Sequence, residues 1–392
     1  MSDPDTTPLD TETLGLFGAS VERYGQDKYG FDRYKAQLRA TPGLGLQAWI
    51  DYAAMGWLAA AKPLDEGGFA SHPVAIAALM RYSGEHLALE PLFANVVLCA
   101  RLLALCGTDD QGAHERLEAL SAGRRLFALA HSETLSDGVD GDVATLHRDG
   151  RLTGRKVVVL HGDVADELIV SAQDRGDALH GHPGAQAGAL SLFAVDVDQP
   201  SIRKTSYKLL DGRGAASFEF QGATATPVGP RGAGGTLLAQ ALDDARLALC
   251  AEAHGAMRAL NRQTLAYLKE RRQFGRPIGA NQALQHRMVE LFMLEQEVAA
   301  VIGAAQRAGE QPIAWRQRAI AGAVAHTIGA GRQISHEAVQ MHGGIGTTDE
   351  LAVGHYFKRT MVINRLLGDR DAQLDAFARA DAACSAERVA TA

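Results

Sequence analysis

Apolar and polar positions follow two different periods along this chain. Over residues 1–121 the apolar positions recur every three or four residues, as in "LQAWIDYAAMGWLAAA" (46–61) and "PVAIAALMRYSGEHLALE" (73–90). That spacing is typical of amphipathic helices. The glycines and the proline of "KPLDEGGFASHP" (62–73) separate the two helical runs. The pattern therefore predicts an N-terminal helical domain over residues 1–121.

The pattern of apolar positions changes between residues 122 and 232, where short β-rich runs are separated by turn residues. Examples are "KVVVLHG" (156–162), "ELIVSA" (167–172) and "LSLFAVDV" (190–197). The pair Asp149-Gly150 lies between two such runs and predicts a hairpin turn. These features predict a small antiparallel β domain over residues 122–232, built as a barrel or a sandwich.

Residues 233–392 return to helical periodicity. The run from Leu237 to Glu270 is unusually long, and its many alanines favour close contacts between helices, as in a helical bundle. The preceding glycine-rich stretch "PVGPRGAGGT" (227–236) lacks the Lys-Ser/Thr of a phosphate-binding loop. It is therefore interpreted as a connector between the β domain and the bundle.

Composition narrows the class of protein. The chain has 392 residues, 22% charged residues and a formal net charge of −7, which argues against a nucleic-acid binder. No apolar run is long enough for a membrane span, and the acidic N-terminus does not resemble a signal peptide. The four cysteines have no C-x-x-C spacing, which predicts reduced thiols and a cytoplasmic location. The histidines lack metal-ligand spacing, so no metal site is predicted.

Two C-terminal stretches carry the most specific signal. The first is "KERRQFGRPIGANQALQHRM" (269–288) and the second is "QMHGGIGTTDELAVGHYFKR" (340–359). The first contains Arg-x-x-Phe-Gly with a glutamine eight residues after the phenylalanine, and the second contains Gln-x-x-Gly-Gly-x-Gly. Together, in this order, they resemble the signatures of the acyl-CoA dehydrogenase family. The resemblance implies an α+β fold with an N-terminal helical domain, a middle antiparallel β-barrel domain and a C-terminal four-helix bundle.

The same resemblance implies FAD as cofactor, extended between the β domain of one chain and the bundle of its neighbour. Glycines would let the backbone approach the cofactor, and arginine would neutralise pyrophosphate charge. The residues that match the family's cofactor motif are Arg271, Gln273, Phe274, Gln282, Gln340, Gly343 and Gly344.

Family members remove two hydrogens from an acyl-CoA thioester, with a glutamate as the base that takes the α proton. The resemblance puts this glutamate at one of two positions, which are here Leu367 and Ala245. Neither side chain can accept a proton. Arg246, which in the family lies near the thioester, is present.

The flavin pocket of the β domain also departs from the family pattern. Where the family has Thr-Glu-Pro-Gly-x-Gly-Ser, this chain has "SETLSDG" from Ser132. Where it has Trp-Ile-Thr, this chain has Val158, Val159 and Leu160. An aromatic wall and a hydroxyl that would bond the flavin are thus missing.

These departures favour a subunit without the catalytic glutamate in a heteromeric α2β2 acyl-CoA dehydrogenase. It most resembles the small subunits of bacterial enzymes for steroid side chains or pimeloyl-like acyl groups. Its expected partners are a sister subunit that supplies the base, an acyl-CoA substrate and an electron-transfer flavoprotein. The acyl group is not specified by the sequence; a ring system and a linear chain both remain open.

Two alternatives remain open. The chain could be a self-sufficient dehydrogenase with a displaced base, for which Asp244, Asp369 and Glu252 are the candidates. It could also be a flavin monooxygenase or oxidase of the same fold, since a fold does not fix a reaction.

Overall fold

A computed structural model describes residues 9–40, 45–135, 142–175, 189–366 and 368–391. Of the positions discussed above, Leu367 and residues 136–138 of the stretch from Ser132 lie outside the described residues. No helix within the described ranges is both long enough and apolar enough to cross a membrane. The cytoplasmic location stays a prediction.

Helices occupy both ends of the chain, and strands occupy its middle. The N-terminal helices are α1 (Thr11–Lys28), α2 (Phe31–Arg39), α3 (Leu46–Ala54), α4 (Pro73–His86), a π-helical segment (Phe93–Cys99), α5 (Ala100–Leu105) and α6 (Gln111–Ser121). The strands are β1 (Phe127–Ala130), β2 (Leu146–Arg148), β3 (Arg151–Leu160), β4 (Glu167–Asp174), β5 (Leu190–Asp196), β6 (Ile202–Lys208), β7 (Gly214–Thr224) and β8 (Thr226–Val228).

The C-terminal part is helical apart from one small hairpin. Its elements are α7 (Gly234–Glu270), β9 (Arg272–Gln273), β10 (Arg276–Pro277), α8 (Gln282–Arg307), α9 (Ile313–His342), α10 (Ala352–Leu366) and α11 (Arg370–Thr391). The fold class predicted from the sequence is confirmed: helical N- and C-terminal parts flank a central, mostly antiparallel sheet.

The chain divides into two compact units. The first comprises residues 1–17, 36–76 and 89–245, and the second comprises residues 18–35, 77–88 and 246–392. The sheet and the start of α7, up to Ala245, lie in the first unit, and the rest of the C-terminal helical part lies in the second. The predicted division at 121 and 232 separates helical from strand-rich sequence, but as a division into domains it stays a prediction.

The sheet of the first unit has the strand order β6-β7-β3-β2-β4-β5-β8, with β1 paired to β4. Most pairs are antiparallel, but β1 and β2 both run parallel to β4. The predicted antiparallel character therefore holds for most of the sheet, and parallel pairing is limited to β1 and β2 against β4. The reason is topological: β1, β2 and β4 are not joined to one another by tight hairpins, which would force antiparallel pairing.

The Asp149-Gly150 hairpin is confirmed. It joins β2 to β3, with Arg148 opposite Arg151. Both turn residues have positive φ, 49° for Asp149 and 75° for Gly150. That combination is the one a two-residue turn of the right twist requires, and asparagine, aspartate and glycine adopt it at the lowest cost.

Strand β4 is buried on both faces, which explains the consecutive apolar residues 168–170 at its centre. Leu168 and Val170 pack in one core cluster with Phe193 of β5 and Phe218 of β7. Ile169, which points the other way, packs in a second cluster with residues of α5 and α6. The sheet thus separates two apolar cores within the first unit.

In the second unit, α4 and α7 approach so closely that only glycine fits at the contact. A Cβ at Gly84 would lie 1.8 Å from the carbonyl oxygen of Glu252, and a Cβ at Gly255 would lie 2.0 Å from that of Arg81. Both obstacles are backbone atoms, so no side-chain movement can relieve the clash. The small residues along α7 therefore reflect close helix contacts, as their frequency predicts.

We expect the change Gly84→Ala to lower the free energy of unfolding by about 3 kcal/mol, because the helices must separate to admit the methyl group. The matched control is Gly18→Ala in the interior of α1, where an added Cβ meets nothing within 4 Å. That control should raise stability by about 0.5–1 kcal/mol. Urea unfolding of the two variants and the parent measures both effects. Equal effects of the two changes would refute the close contact.

Candidate functional site

The first cofactor motif forms a small, solvent-exposed hairpin at the C-terminal end of α7. Strands β9 and β10 pair with Gln273 opposite Arg276. The two residues of the turn, Phe274 and Gly275, have φ of 51° and 81°. Phe274 has a relative exposure of 101%. A phenylalanine with positive φ is an uncommon backbone conformation, and here its whole ring lies in solvent.

The glycines of the second motif have different reasons for being glycine. Gly343 ends α9 with φ 66° and ψ −150°, a conformation essentially limited to glycine. A Cβ at Gly346 would lie 2.9 Å from the Cβ of His342. Gly344, however, has ordinary φ, and a Cβ there would meet nothing within 4 Å. The fold of the chain itself does not require Gly344 to be glycine, so an approach from outside is the remaining physical reason.

A stacked aromatic pair, which no sequence motif marks, joins the two cofactor motifs. The ring of Tyr267 stacks on that of His342 at 4.4 Å, and the Tyr267 hydroxyl donates to the His342 carbonyl oxygen at 3.3 Å. Tyr267 also accepts, through its carbonyl oxygen, the N–H of Arg271 at 2.8 Å. His342 directly precedes Gly343. The contact therefore brings the motifs together, and burial lowers the pKa of His342, which keeps its ring neutral near pH 7.

All seven predicted cofactor residues lie at the surface of the second unit. The exposed set is Arg271, Gln273, Phe274, Gln282, Gln340, Gly343 and Gly344. Arginine, amide groups and free backbone N–H groups are the donors that phosphate and adenosine groups require. These seven residues form one half of the expected FAD site and are called the exposed half-site. Their side chains and backbone fit FAD, and they lie at the surface of the unit rather than in its interior.

The two positions expected for the catalytic base offer no carboxylate in the described residues. Ala245 is 3% exposed on α7, and Leu367 lies outside the described residues. Asp244 accepts a hydrogen bond from Arg101 Nε at 2.8 Å, which ties it within the first unit. Asp369 accepts the backbone N–H of Asp371 at 3.1 Å at the start of α11, which is the role of a helix cap.

Glu252, the third candidate base, is fully committed to an ion pair. It lies 2.7 Å from Arg359 Nη1, and both side chains have no exposed surface. The Ser83 hydroxyl donates to the same carboxylate at 3.4 Å, and Arg359 Nη2 donates to the Ala88 carbonyl oxygen at 2.9 Å. Removing the Glu252 carboxylate would leave Arg359 buried without its counter-charge, so this side chain is engaged in a structural ion pair. Arg246, the remaining predicted residue, is half-buried on α7 next to Ala245.

Two of the three β-domain positions expected beside the flavin are buried in the chain's own core. Val159 and Leu160 are 1% and 6% exposed and pack inward. Val158 has φ 50°, a genuine outlier for a β-branched residue, and its N–H donates to the Tyr207 hydroxyl at 3.0 Å. A donor that lies beside the expected flavin position is thus used internally. This half-site does not fit the flavin well.

A buried lysine holds the neighbouring segment in place. Lys156 Nζ contacts Glu133 at 2.8 Å, the His131 carbonyl oxygen at 2.8 Å and the Ser171 hydroxyl at 3.2 Å. Burial lowers the pKa of Lys156 to about 8, and the pairing with Glu133 opposes that shift. The cluster fixes the path of residues 131–133 and leaves Lys156 unable to reach a ligand.

One carboxylate and histidine cluster that the sequence did not reveal lies in the first unit. Ligand atoms of Glu66, His114 and Glu118 lie within 4.8 Å of one another. Lys62 forms an ion pair with Glu118 and lies 3.6 Å from Glu66. The ammonium group therefore already neutralises the position that a cation would take.

Known proteins share sequence similarity with this chain. Residues 232–381 match the family model described as acyl-CoA dehydrogenase, C-terminal domain. The chain is 27% identical over 336 residues to the acyl-CoA dehydrogenase FadE27 of Mycobacterium tuberculosis, covering 84% of this chain and 86% of the relative.

Solved structures show the same fold over nearly the whole chain. A variant of the Tcur3481-Tcur3483 steroid ACAD has a TM-score of 0.83 and 26% identity, covering 96% of this chain and 99% of that one. The ChsE4-ChsE5 complex of Mycobacterium tuberculosis has a TM-score of 0.81 at 24% identity, with the same coverage. At this identity the likeness shows only that the fold is shared.

We expect acid to destabilise the fold through His254 on α7. Burial, followed by the cations Arg258 and Arg81, lowers the pKa of His254 from 6.5 to about 4. Between these pH values the unfolded chain binds a proton that the folded chain excludes, so stability is lost as pH falls from 6.5 towards 4. The loss reaches at most about 3 kcal/mol.

Urea unfolding at pH 7 and pH 4.5 measures this loss. In His254→Gln the difference between the two pH values should shrink by most of that amount. The control His336→Gln replaces an exposed histidine of α9 and should keep the parent's difference. An unchanged difference in His254→Gln would contradict the assignment.

Proposed function

The chain is a member of the acyl-CoA dehydrogenase family, and on that premise we propose that it is the subunit without a catalytic base in a heteromeric acyl-CoA dehydrogenase. In this proposal a sister subunit, an unlike chain of the same fold, supplies the glutamate. Two copies of each chain form an α2β2 complex that desaturates an acyl-CoA thioester between its α and β carbons.

FAD is the cofactor, as predicted. When bound, it supplies the acceptor for the hydride that leaves the β carbon. Arg271 would neutralise pyrophosphate charge, and Gln273, Gln282 and Gln340 would donate or accept hydrogen bonds to the nucleotide. The backbone at Gly343 and Gly344 would admit it closely. We propose that these residues hold FAD against the β domain of the sister subunit.

The observation that carries the proposal is the contrast between the chain's two half-sites. The residues that would serve a neighbour's FAD are exposed and unobstructed, whereas Val159 and Leu160 of the chain's own half are buried. Two of the candidate bases, Asp244 and Glu252, are each paired with an arginine. A carboxylate that is tied to an arginine of its own chain is not free to approach the α carbon of a substrate.

The similar structures give the proposal its partner and substrate class. One similar structure is described as the Tcur3481-Tcur3483 steroid ACAD, and another is described as the ChsE4-ChsE5 complex. Each description joins the names of two proteins. We accordingly propose an acyl-CoA with a steroid ring system as the first substrate to test and a linear acyl-CoA as the second. An electron-transfer flavoprotein is the proposed electron acceptor.

We expect Arg271→Ala to remove most of the FAD from the complex with the sister subunit while the two chains stay associated. Loss of a charge-assisted contact to phosphate weakens binding by about 2–3 kcal/mol, or roughly 30- to 150-fold. The flavin-to-protein ratio of the purified complex, read from its visible spectrum, measures this. The control Arg379→Ala removes an exposed arginine of α11 outside the motif and should leave the ratio unchanged.

A full flavin complement in the Arg271→Ala complex would refute the proposed role of this half-site. The alternative of a displaced base predicts a different result. It requires acyl-CoA oxidation by the chain without any sister subunit, with loss of that activity in Asp244→Asn or Asp369→Asn. A monooxygenase or oxidase would instead consume oxygen with its reduced flavin.

A further inference from the structure

A groove between α7 and α8 has the form of a binding site that the reaction does not use. Its volume is about 490 Å³. It is lined by Arg258, Asn261, Arg262 and Leu265 of α7 and by Met288, Val289, Phe292 and Glu295 of α8. On each helix these residues recur at three- and four-residue intervals, so each set forms one face. Both faces belong to the second unit.

The walls of this α7–α8 groove are apolar and exposed. Leu265, Val289 and Phe292 are 41%, 57% and 56% exposed, and Met293 beside them is 55% exposed. Helix α8 therefore has a second apolar face, since Leu291 and Val298 are buried in its own bundle. A contiguous apolar surface of this kind marks a contact with another protein.

The floor of the groove holds a buried acceptor without a donor. Asn261 is 7% exposed, and its Nδ2 donates to Glu295 Oε2 at 2.8 Å and to the Leu291 carbonyl oxygen at 3.1 Å. Because both partners are acceptors, the amide orientation is fixed. Asn261 Oδ1 consequently faces away from them, and among the described residues it accepts no hydrogen bond. A buried acceptor left in this state costs about 1–3 kcal/mol.

The charges around the groove cancel. Glu85 lies 2.6 Å from Arg262 and 3.5 Å from Arg258, and Glu295 lies at the floor. Two arginines and two glutamates leave no net formal charge. An aromatic body with a neutral donor matches this environment better than an ammonium or a carboxylate does.

We propose that the α7–α8 groove receives a tyrosine or tryptophan side chain of the sister subunit, whose hydroxyl or indole N–H donates to Asn261 Oδ1. This inference rests on the proposed heteromeric function. The ring packs on Phe292, Val289 and Leu265. A second copy of this chain presents on the corresponding face Val289, Phe292 and Met293, which have no donor, and Arg258 and Arg262, whose guanidinium groups are paired with Glu85. Pairing with itself through that face leaves Asn261 Oδ1 unsatisfied, so the groove favours an unlike partner.

The test uses the full chain by itself and small probes for the side chain. They are p-cresol, which carries the donor, and toluene and 4-methylanisole, which do not. We expect p-cresol to bind about fivefold more tightly than either of the others, as one added hydrogen bond implies. Binding is followed by NMR of the groove's methyl groups and of the Asn261 side-chain amide.

Two variants separate the donor contact from simple apolar binding. Asn261→Leu should make the three probes bind alike, whereas Phe292→Ala should weaken all three and keep the preference for p-cresol. Equal affinity of p-cresol and 4-methylanisole for the unmodified chain would overturn the proposal, and so would a preference that survives in Asn261→Leu. Because this experiment involves neither FAD nor the sister subunit, its failure leaves the Arg271 result unaffected.

Discussion

The buried ion pair between Glu252 and Arg359 constrains everything else in the bundle. Two charges without exposed surface remain stable only when each satisfies the other, and Ser83 and the Ala88 carbonyl oxygen complete the network. The contact also depends on glycine at positions 84 and 255, which let α4 and α7 approach until backbone meets backbone. The Glu252 carboxylate of α7 therefore stabilises the packing of the helices through Arg359, and it is not free to contact a substrate.

Residues near the two ends of helix α7 have different roles. Near its start, Ala245 stands where a base would act and Asp244 is bound to Arg101. Near its end, Tyr267 stacks on His342 and so holds the two cofactor motifs side by side at the surface. A chain arranged in this way presents contacts to a cofactor but has no free carboxylate, among the described residues at these positions, to remove a proton. This arrangement is the physical basis of the proposal that a second chain supplies the base.

Local sequence predicted much of this structure, and tertiary contacts explain the remainder. The Asp149-Gly150 hairpin and the long helix after residue 236 follow from turn chemistry and from helical periodicity, which act over a few residues. The parallel pairing of β1 and β2 with β4, the Glu252–Arg359 pair and the Tyr267–His342 stack join positions far apart in the chain. No local pattern encodes these contacts. Nor does any motif mark the unsatisfied acceptor of Asn261, which arises only when α7 and α8 pack.

The flavin content of the isolated chain tests the central claim most directly. The chain should be purified without any sister subunit, saturated with FAD, separated from free FAD by gel filtration and measured by its visible spectrum. The account predicts far less than one FAD per chain, because Val159 and Leu160 of the β-domain half-site are buried in the core and because the exposed half-site is proposed to serve a neighbour. About one FAD per chain would contradict the account, since a single kind of chain would then complete the site.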